Sequence, residues 1–275
     1  MSGNLYLVST PIGNLDDLTL RALKTLSTVE VIFAESVERT KKLLSHFNIE
    51  TKILSYNKDN ERRKVKSIIK LLEESKNVAL VTDAGTPCIS DPGFYLLSKL
   101  DKDINIIPIP GASSLSCALS VSRIPMNSFI FLGFLPKNES ERRNKLTEVS
   151  STQFPLCLFE SKYRLLKLLR EIQEIYGDDT QVGIFKEMTK LHESIIHESV
   201  VKLIEDYETL KPKGEFVVIV SPKSASSKVI SYDLVAQHLI SKNFSNKDIV
   251  DIIKIITKDS KKEIYKNVLS IRQNN

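Results

Sequence analysis

No apolar run in this chain approaches the length of a membrane span, and its N-terminus lacks the basic-then-apolar order of a secretion signal. A cytoplasmic protein with no membrane partner is therefore expected. Cysteine is scarce: Cys88, Cys117 and Cys157 lie far apart, a spacing that fits neither a zinc site nor a disulfide framework. No metal is expected. The usual phosphate-binding signatures are also missing. No G-x-G-x-x-G follows the first strand and no G-K-[ST] closes a glycine-rich loop, which argues against a dinucleotide or nucleoside triphosphate bound in the familiar way. No histidine sits in an obvious base position. Charge is not extreme, and a formal net charge of +5 permits a nucleic-acid partner without demanding one.

What is present is an ordinary globular composition, with 41% hydrophobic and 27% charged residues over 275 positions. That length buries a large core and suggests two domains plus something smaller. The chain is organised around Asn77 to Gly93. Val78-Ala79-Leu80-Val81 is too short for a helix and reads as a buried strand. Asp83, Gly85, Thr86, Pro87, Asp91, Pro92 and Gly93 follow at once, a density of glycine and proline that forces a tight, ordered loop. A loop at the carboxyl end of a parallel strand is where open α/β sheets place ligands. Asp83 to Pro87 is the candidate site, and Asp91 is expected to cap a helix starting near Phe94.

Two more strands end the same way. Asn4 to Ser9 runs into Thr10-Pro11-Ile12-Gly13-Asn14-Leu15, with Asp17 or Thr19 placed to cap the next helix. Ile104 to Ile109 runs into Pro110-Gly111-Ala112-Ser113-Ser114, whose small residues leave helix N–H groups open to a ligand. Strands at Val29–Ala34 and Lys52–Ser55 alternate with helices near Arg39–His46 and Glu61–Glu74. This alternation argues a parallel, doubly wound sheet up to about residue 124. From residue 125 to 222 strands are less regularly separated by helices, so a mixed sheet is expected. Arg142, Arg143 and Lys145 read first as the solvated face of a helix.

Lys223 to Ser231 is rich in serine and lysine and reads as a linker. Beyond it, residues 232–275 form a small basic module. Ser245 and Asp248 make a capping box before Ile249, Ile252, Ile253 and Ile256, and Ser260 can cap a second helix with Ile264, Val268 and Ile271. Lys258, Lys261 and Lys262 fall at the turn between these helices, where they either grip nucleic-acid phosphates or form a solvated lid.

Taken together, Ser9 to Leu15, Asp83-Ala84-Gly85-Thr86-Pro87 with Ser90-Asp91-Pro92-Gly93, and Pro110 to Ser114 resemble the tetrapyrrole-methylase superfamily. Within it, Gly133-Phe134-Leu135-Pro136, Phe159-Glu160-Ser161, Glu187 to Glu193 and Lys213 to Phe216 extend a similarity to the ribosomal RNA small-subunit methyltransferase I family. The resemblance implies two α/β domains with S-adenosylmethionine in the cleft between them, and a homodimer. The implied reaction is methylation of a cytidine ribose 2′-hydroxyl in small-subunit ribosomal RNA or the assembled subunit.

By the same resemblance Pro11, Ile12, Gly13 and the loop Asp83, Ala84, Gly85, Thr86, Pro87 hold the donor. Ser113 and Ser114 contact its other end, and Phe159 and Met188 complete the pocket. Candidate acid–base groups are Glu35, Glu160 and Glu187, although Glu35 could only cap a helix and Glu187 could only pair with Lys190 or Arg164. On the RNA side stand Asn60, Glu61, Arg142, Arg143, Lys186 and His192. Two strings depart from the family pattern. Ala34-Glu35-Ser36-Val37-Glu38, with Arg39 displaced, stands for Ala-Glu-Asp-Thr-Arg, and Tyr56 to Glu61 stands for a histidine-rich turn. A porphyrinoid methylase and a non-catalytic ribosome-binding member remain as alternatives.

Overall fold

Val78–Val81 is buried along its whole length and forms β4, the middle strand of a five-stranded parallel sheet. The computed structural model describes residues 2–207, 214–222, 232–257 and 259–273. Lys213, the linker at 223–231 and Lys258 lie outside the described residues. The chain divides into two compact units, Met1–Lys223 and Ser224–Asn275.

In the first unit β1 (Asn4–Val8), β2 (Val31–Ala34), β3 (Ile53–Ser55) and β5 (Asn105–Ile109) join β4 in the order β3-β2-β4-β1-β5. Every pairing is parallel. Alternation sends Leu5, Phe33, Val78 and Leu80 into a core on one face, with Val65, Ile68 and Leu72 of α3 (Glu61–Glu73). Val8, Ile32, Ala79 and Val81 enter a core on the other, with Ala22 and Leu26 of α1 (Leu20–Thr28) and Leu44 of α2 (Val37–His46). Burial on both faces explains the unbroken Val/Ile/Leu character of these strands. Thr19 caps α1 by accepting from the Ala22 amide, and Ser36 caps α2 by accepting from that of Arg39. The one-turn α4 (Phe94–Leu97) follows the β4 loop, and α5 (Ser114–Ser120) follows β5.

The second sheet is mixed. Its order is β6 (Ile130–Phe134), β7 (Leu156–Ser161), β10 (Glu215–Val220), β8 (Gln181–Lys186), β9 (Ser194–Ser199). β6 and β7 are parallel and the other pairs antiparallel. α6 (Glu139–Ser150), α7 (Leu165–Tyr176) and α8 (Val200–Glu205) cover one face through Leu146, Leu168, Leu169 and Leu203. The other face presents Cys157, Phe185, Val217 and Ile219, which pack on Ala118 of α5, on Ile12 and on Met188. This layer joins the second sheet to the strand-end loops of the first.

The second unit holds α9 (Asp233–Ser241), α10 (Asn246–Ile256) and α11 (Lys261–Gln273) around Ala236, Ile249, Ile253, Ile264 and Val268. The two helices expected here are present, and α9 is an addition: only Ala236 of its residues is buried, too little to give a visible stripe. Ser245 accepts from the Asp248 amide, and Ser260 and Glu263 exchange amide and side-chain bonds as a full capping box. No helix among the described residues is long and apolar enough to cross a membrane.

Candidate active site

The loops after β1 and β4 are stitched together before either can meet a ligand. The Thr10 amide donates to the Gly85 carbonyl at 2.9 Å and the Gly85 amide to the Thr10 carbonyl at 3.0 Å. The Thr10 hydroxyl donates to the Thr82 carbonyl at 3.1 Å, and the Ser9 and Thr86 hydroxyls meet at 2.9 Å. Gly85 sits at φ +88°, a left-handed backbone that glycine adopts freely. The expected ligand contact along this loop is therefore corrected at its far end. Both backbone groups of Gly85 serve Thr10, and Gly85, Thr86 and Pro87 brace the site from behind.

The space in front is a cavity of about 250 Å³. One wall comes from the first sheet: Ile12, Glu35, Arg39, Thr82 to Ala84, Ile89 to Asp91, and Ser114. The opposite wall comes from the second: Phe134, Phe159, Phe185, Glu187, Met188, Lys190 and Glu215 to Val217. Pro11 and Gly13 flank Ile12 without lining the cavity. A Cβ on Gly13 would lie 2.3 Å from Lys190 Cγ and 2.9 Å from Thr189 Oγ1, so this loop packs tightly on the 188–190 turn. Ser113 caps α5, and Ser114 alone of the pair lines the cavity.

The first wall is a cluster of carboxylates. Glu35 Oε2 accepts from the Thr82 hydroxyl at 2.7 Å and the Asp83 amide at 3.3 Å. Asp83 Oδ2 pairs with Arg39 Nη1 at 3.1 Å, while Asp83 Oδ1 is buried with no partner among the described residues. Burial, and then the charge of Glu35, raise the proton affinity of Asp83 against the pull of Arg39. Asp91 is pushed up to about 6, first by burial and then by Glu35, with the Thr82 hydroxyl and Lys58 acting in the opposite direction. Asp91 was expected to cap a helix. Gly93, at φ +139°, holds that cap position with no side-chain bond, and Asp91 faces the cavity instead.

On the second wall Glu187 has a left-handed backbone at φ 50°. Its Oε1 accepts from Lys190 Nζ at 3.0 Å and the Glu215 amide at 3.2 Å. Burial acts to raise its pKa, but the bonds from Lys190 and the Glu215 amide outweigh it and hold the pKa low. A Cβ on Gly214 would stand 2.0 Å from that oxygen, so only glycine leaves room for the carboxylate.

The remaining candidates lie outside the cavity lining. Glu160 follows Phe159 in β7, so strand parity turns it away from the cavity. It is fully buried and accepts from Arg164 Nε at 2.8 Å and the Ser161 amide at 2.7 Å. A catalytic role at the cavity is excluded by that placement. Arg142, expected on the RNA side, is 2% exposed and bound to Glu171 by two contacts of 2.6 Å. Burial removes it from any substrate surface. Arg143 pairs with Glu174 at 2.7 Å. Asn60 is bonded to the Asn57 amide and the Ser55 hydroxyl at the start of α3, where Glu61 stands beside it. Lys186 closes β8 and its charge acts on Glu187. His192 is exposed on the 189–193 turn. In the second unit Lys261 pairs with Asp251 at 2.6 Å and, with Lys262 and Tyr265, borders a shallow depression.

Residues 4–204 match the model of the Tetrapyrrole (Corrin/Porphyrin) Methylases. The "Ribosomal RNA small subunit methyltransferase I" of Thermotoga maritima is 45% identical over 222 residues, 80% of this chain and 99% of that protein. The chain belongs to the ribosomal RNA small subunit methyltransferase I family. Its namesake from Halalkalibacterium halodurans is 38% identical over 271 residues, 96% of this chain and 93% of that protein. The Thermotoga relative leaves about a fifth of this chain unmatched, a share the size of the second unit. Among solved structures, a uroporphyrin-III C-methyltransferase from Thermus thermophilus complexed with S-adenyl homocysteine superposes with a TM-score of 0.58 at 16% identity, covering 80% of this chain and 97% of that one. In this family member the departures from the common string have structural uses: Ser36 caps α2, and Arg39 reaches Asp83.

Sequence reading missed Arg39, Thr82, Ile89, Ser90, Asp91, Phe134, Phe185, Lys190 and Glu215 to Val217 as wall residues. Asp91 was within the loop already singled out, and its distance from Asp83 along the chain hid their shared orientation. Phe185 lies next to a recognised string, and strand parity was the available signal.

Proposed function

We propose that this chain transfers a methyl group from S-adenosylmethionine to the 2′-hydroxyl of a cytidine in small-subunit ribosomal RNA. It would do so as a homodimer in the cytoplasm. The observation that carries the donor assignment is the partnerless, buried Asp83 Oδ1 within a carboxylate cluster that faces an aromatic wall. Buried carboxylate oxygens call for a donor or a cation, and this ligand carries both an ammonium and a sulfonium. Asp83 and Glu35 would hold the ammonium end. Ile12, Phe134, Phe159, Phe185 and Met188 would hold the apolar parts and exclude water. S-adenosylmethionine, when bound, supplies a methyl group already activated on a positive sulfur. The protein's share is therefore alignment and handling of the hydroxyl proton. A polyanionic substrate is supported by the family and by a cation near the cavity: Lys58 acts through its charge on Asp91, which lines it.

The test is transfer of labelled methyl from the donor to isolated small ribosomal subunits, with a free porphyrinoid as the competing acceptor. Label in the 2′-O-methylcytidine of the subunit RNA is expected. Label on the porphyrinoid, or donor binding without any transfer, would overturn the assignment. Sedimentation should give a species of twice the 31.1 kDa chain mass; a concentration-independent monomer would refute the dimer.

The second unit is assigned to RNA. From Lys242 to Asn275 there are eight Lys/Arg against four Asp/Glu, a net of +4 out of the chain's +5. A chain ending near Ser231 retains the whole first core, and the Thermotoga relative matches over a span of that size. It should keep donor affinity, bind small subunits more weakly and show a shallower salt dependence, since each lost phosphate contact removes a counterion-release contribution. Unchanged subunit binding and salt slope would assign the module another task.

A further inference from the structure

We propose that Asp91 is the proton acceptor for the acceptor hydroxyl, with Thr82 and Glu35 as positioning residues behind it. The inference rests on the methyl-transfer reading above and adds to it the destination of the proton.

Among the described residues five carboxylates line the cavity; Glu215 is exposed to solvent at the start of β10, and three of the other four are committed. Asp83 pairs with Arg39 at 3.1 Å. Glu35 already accepts from the Thr82 hydroxyl and the Asp83 amide. Glu187 accepts from Lys190 and the Glu215 amide, and those bonds hold its proton affinity low. Asp91 lines the same cavity and interacts with Thr82. A threonine hydroxyl carries one proton. Turned to Asp91, that proton favours the ionised carboxylate; turned to Glu35 at 2.7 Å, it leaves oxygen lone pairs facing Asp91. A carboxyl that has just gained a proton can donate to it, giving a continuous chain from Asp91 through Thr82 to Glu35. Burial and the charge of Glu35 place Asp91 at about 6, with Lys58 and the Thr82 hydroxyl moderating the rise. It is thus ionised at neutral pH and still more basic than an ordinary carboxylate. Glu35, Asp83, Lys58 and Cys88 surround it from the first wall, and Glu187, Lys190 and Glu215 line the second.

The step balances. The hydroxyl oxygen bonds to the methyl carbon, the carbon–sulfur bond breaks with its electron pair left on sulfur, and the O–H proton passes to Asp91. One positive charge disappears from the cavity and one carboxylate becomes neutral, so the net charge of the enclosed space does not change. A buried site favours such a pairing, because an uncompensated charge there is costly.

The experiment uses the full chain as wild type, Asp91→Asn and Thr82→Val. Calorimetry measures S-adenosylmethionine binding, and single-turnover transfer to small subunits at saturating donor is followed across pH. Carbon-13 NMR follows the aspartate carboxyls. Asp91→Asn should keep donor affinity within about threefold and slow transfer by about 10²- to 10⁴-fold. It should also lose both the acidic limb of the rate profile and the carboxyl that titrates near 6 in wild type. Thr82→Val, lacking the hydroxyl that favours the ionised form, should move that limb to higher pH. A loss of donor affinity with an unchanged saturating rate would make Asp91 a donor-binding residue and overturn the proposal. So would an unaltered rate in Asp91→Asn, or a wild-type spectrum with no carboxyl titrating near 6, which is read without any variant. A wild type that binds donor and transfers nothing would overturn the methyl-transfer reading as well.

Discussion

Replacing Arg142 with alanine is expected to lower the unfolding free energy by about 3–5 kcal/mol, the usual cost of leaving a buried charge without its partner. Arg142 and Glu171 are 2% and 3% exposed, and the guanidinium meets the carboxylate through both Nε and Nη2 at 2.6 Å. Arg142 Nη1 also donates to the carbonyls of Pro136 at 3.3 Å and Lys137 at 3.1 Å. Beside it Arg164 Nη1 reaches the carbonyl of Leu135 at 3.1 Å. Alanine would strand Glu171 in the core and release the segment that follows Phe134, a residue of the cavity wall. Urea denaturation measures the loss. The double replacement Arg142→Met with Glu171→Leu should recover most of it, since an apolar pair of similar volume avoids the desolvation of both ions. A single variant that loses less than about 1 kcal/mol, the range of an exposed pair, would show that the pair does not hold this layer.

Replacing Asp83 with asparagine is expected to weaken S-adenosylmethionine binding about 10- to 100-fold, the equivalent of one charge-assisted hydrogen bond. Thermal unfolding of the ligand-free protein should stay level or rise, because the variant removes a carboxylate whose ionisation is opposed by burial and by Glu35. Opposite signs for affinity and stability separate a binding role from general damage. The same chemistry sets the pH dependence. Burial and Glu35 raise the folded-state pKa of Asp91 to about 6, above the ordinary aspartate value of 3.8. In the ligand-free protein Asp91 therefore adds stability that is fully present below pH 3.8 and is lost as pH rises through 6. A cationic ligand held by Asp83 favours that residue's ionised form, while burial and Glu35 favour its protonation, so wild-type affinity should fall on acidification. Calorimetry at stepped pH below 7, run on wild type and Asp83→Asn, checks it. A wild-type profile as flat as the variant's would mean that Asp83 does not meet the cation.

Legibility from sequence followed the range of the interactions. Val78–Val81 was readable because a fully buried parallel strand needs apolar residues on both faces. Thr19 and Ser245 were readable because capping acts within three residues. The first wall of the cavity was half readable. The glycine- and proline-rich loop declared itself, while the bond pattern that turns Gly85 to Thr10 and Asp91 to the cavity depends on a neighbouring strand. The second wall was the least readable, since it is fixed by which face of β7, β8 and β10 meets the first sheet. Glu160 was misplaced by one step of strand parity. Arg142 was misread because α6 has few apolar residues, and a buried arginine looks the same in sequence as a solvated one until Glu171 is set against it.

Cys88 and Ser90 on one side of the cavity and Glu187 and Thr189 on the other all hold left-handed backbones, at φ 72°, 66°, 50° and 66°. Non-glycine residues stay in that region only where their surroundings over-determine them. Here a Cβ on Gly93 would crowd Cys88 Sγ at 2.5 Å, one on Gly133 would crowd Ser90 Oγ at 2.6 Å, and one on Gly214 would overlap the Glu187 carboxylate. Glycines thus let neighbouring segments close around these four residues and fix them. The ordering of both rims is completed during folding, so an arriving ligand meets a mould already set. Little of its binding energy goes into immobilising loops, and association resembles entry into a rigid receptacle more than the gathering of a loose one.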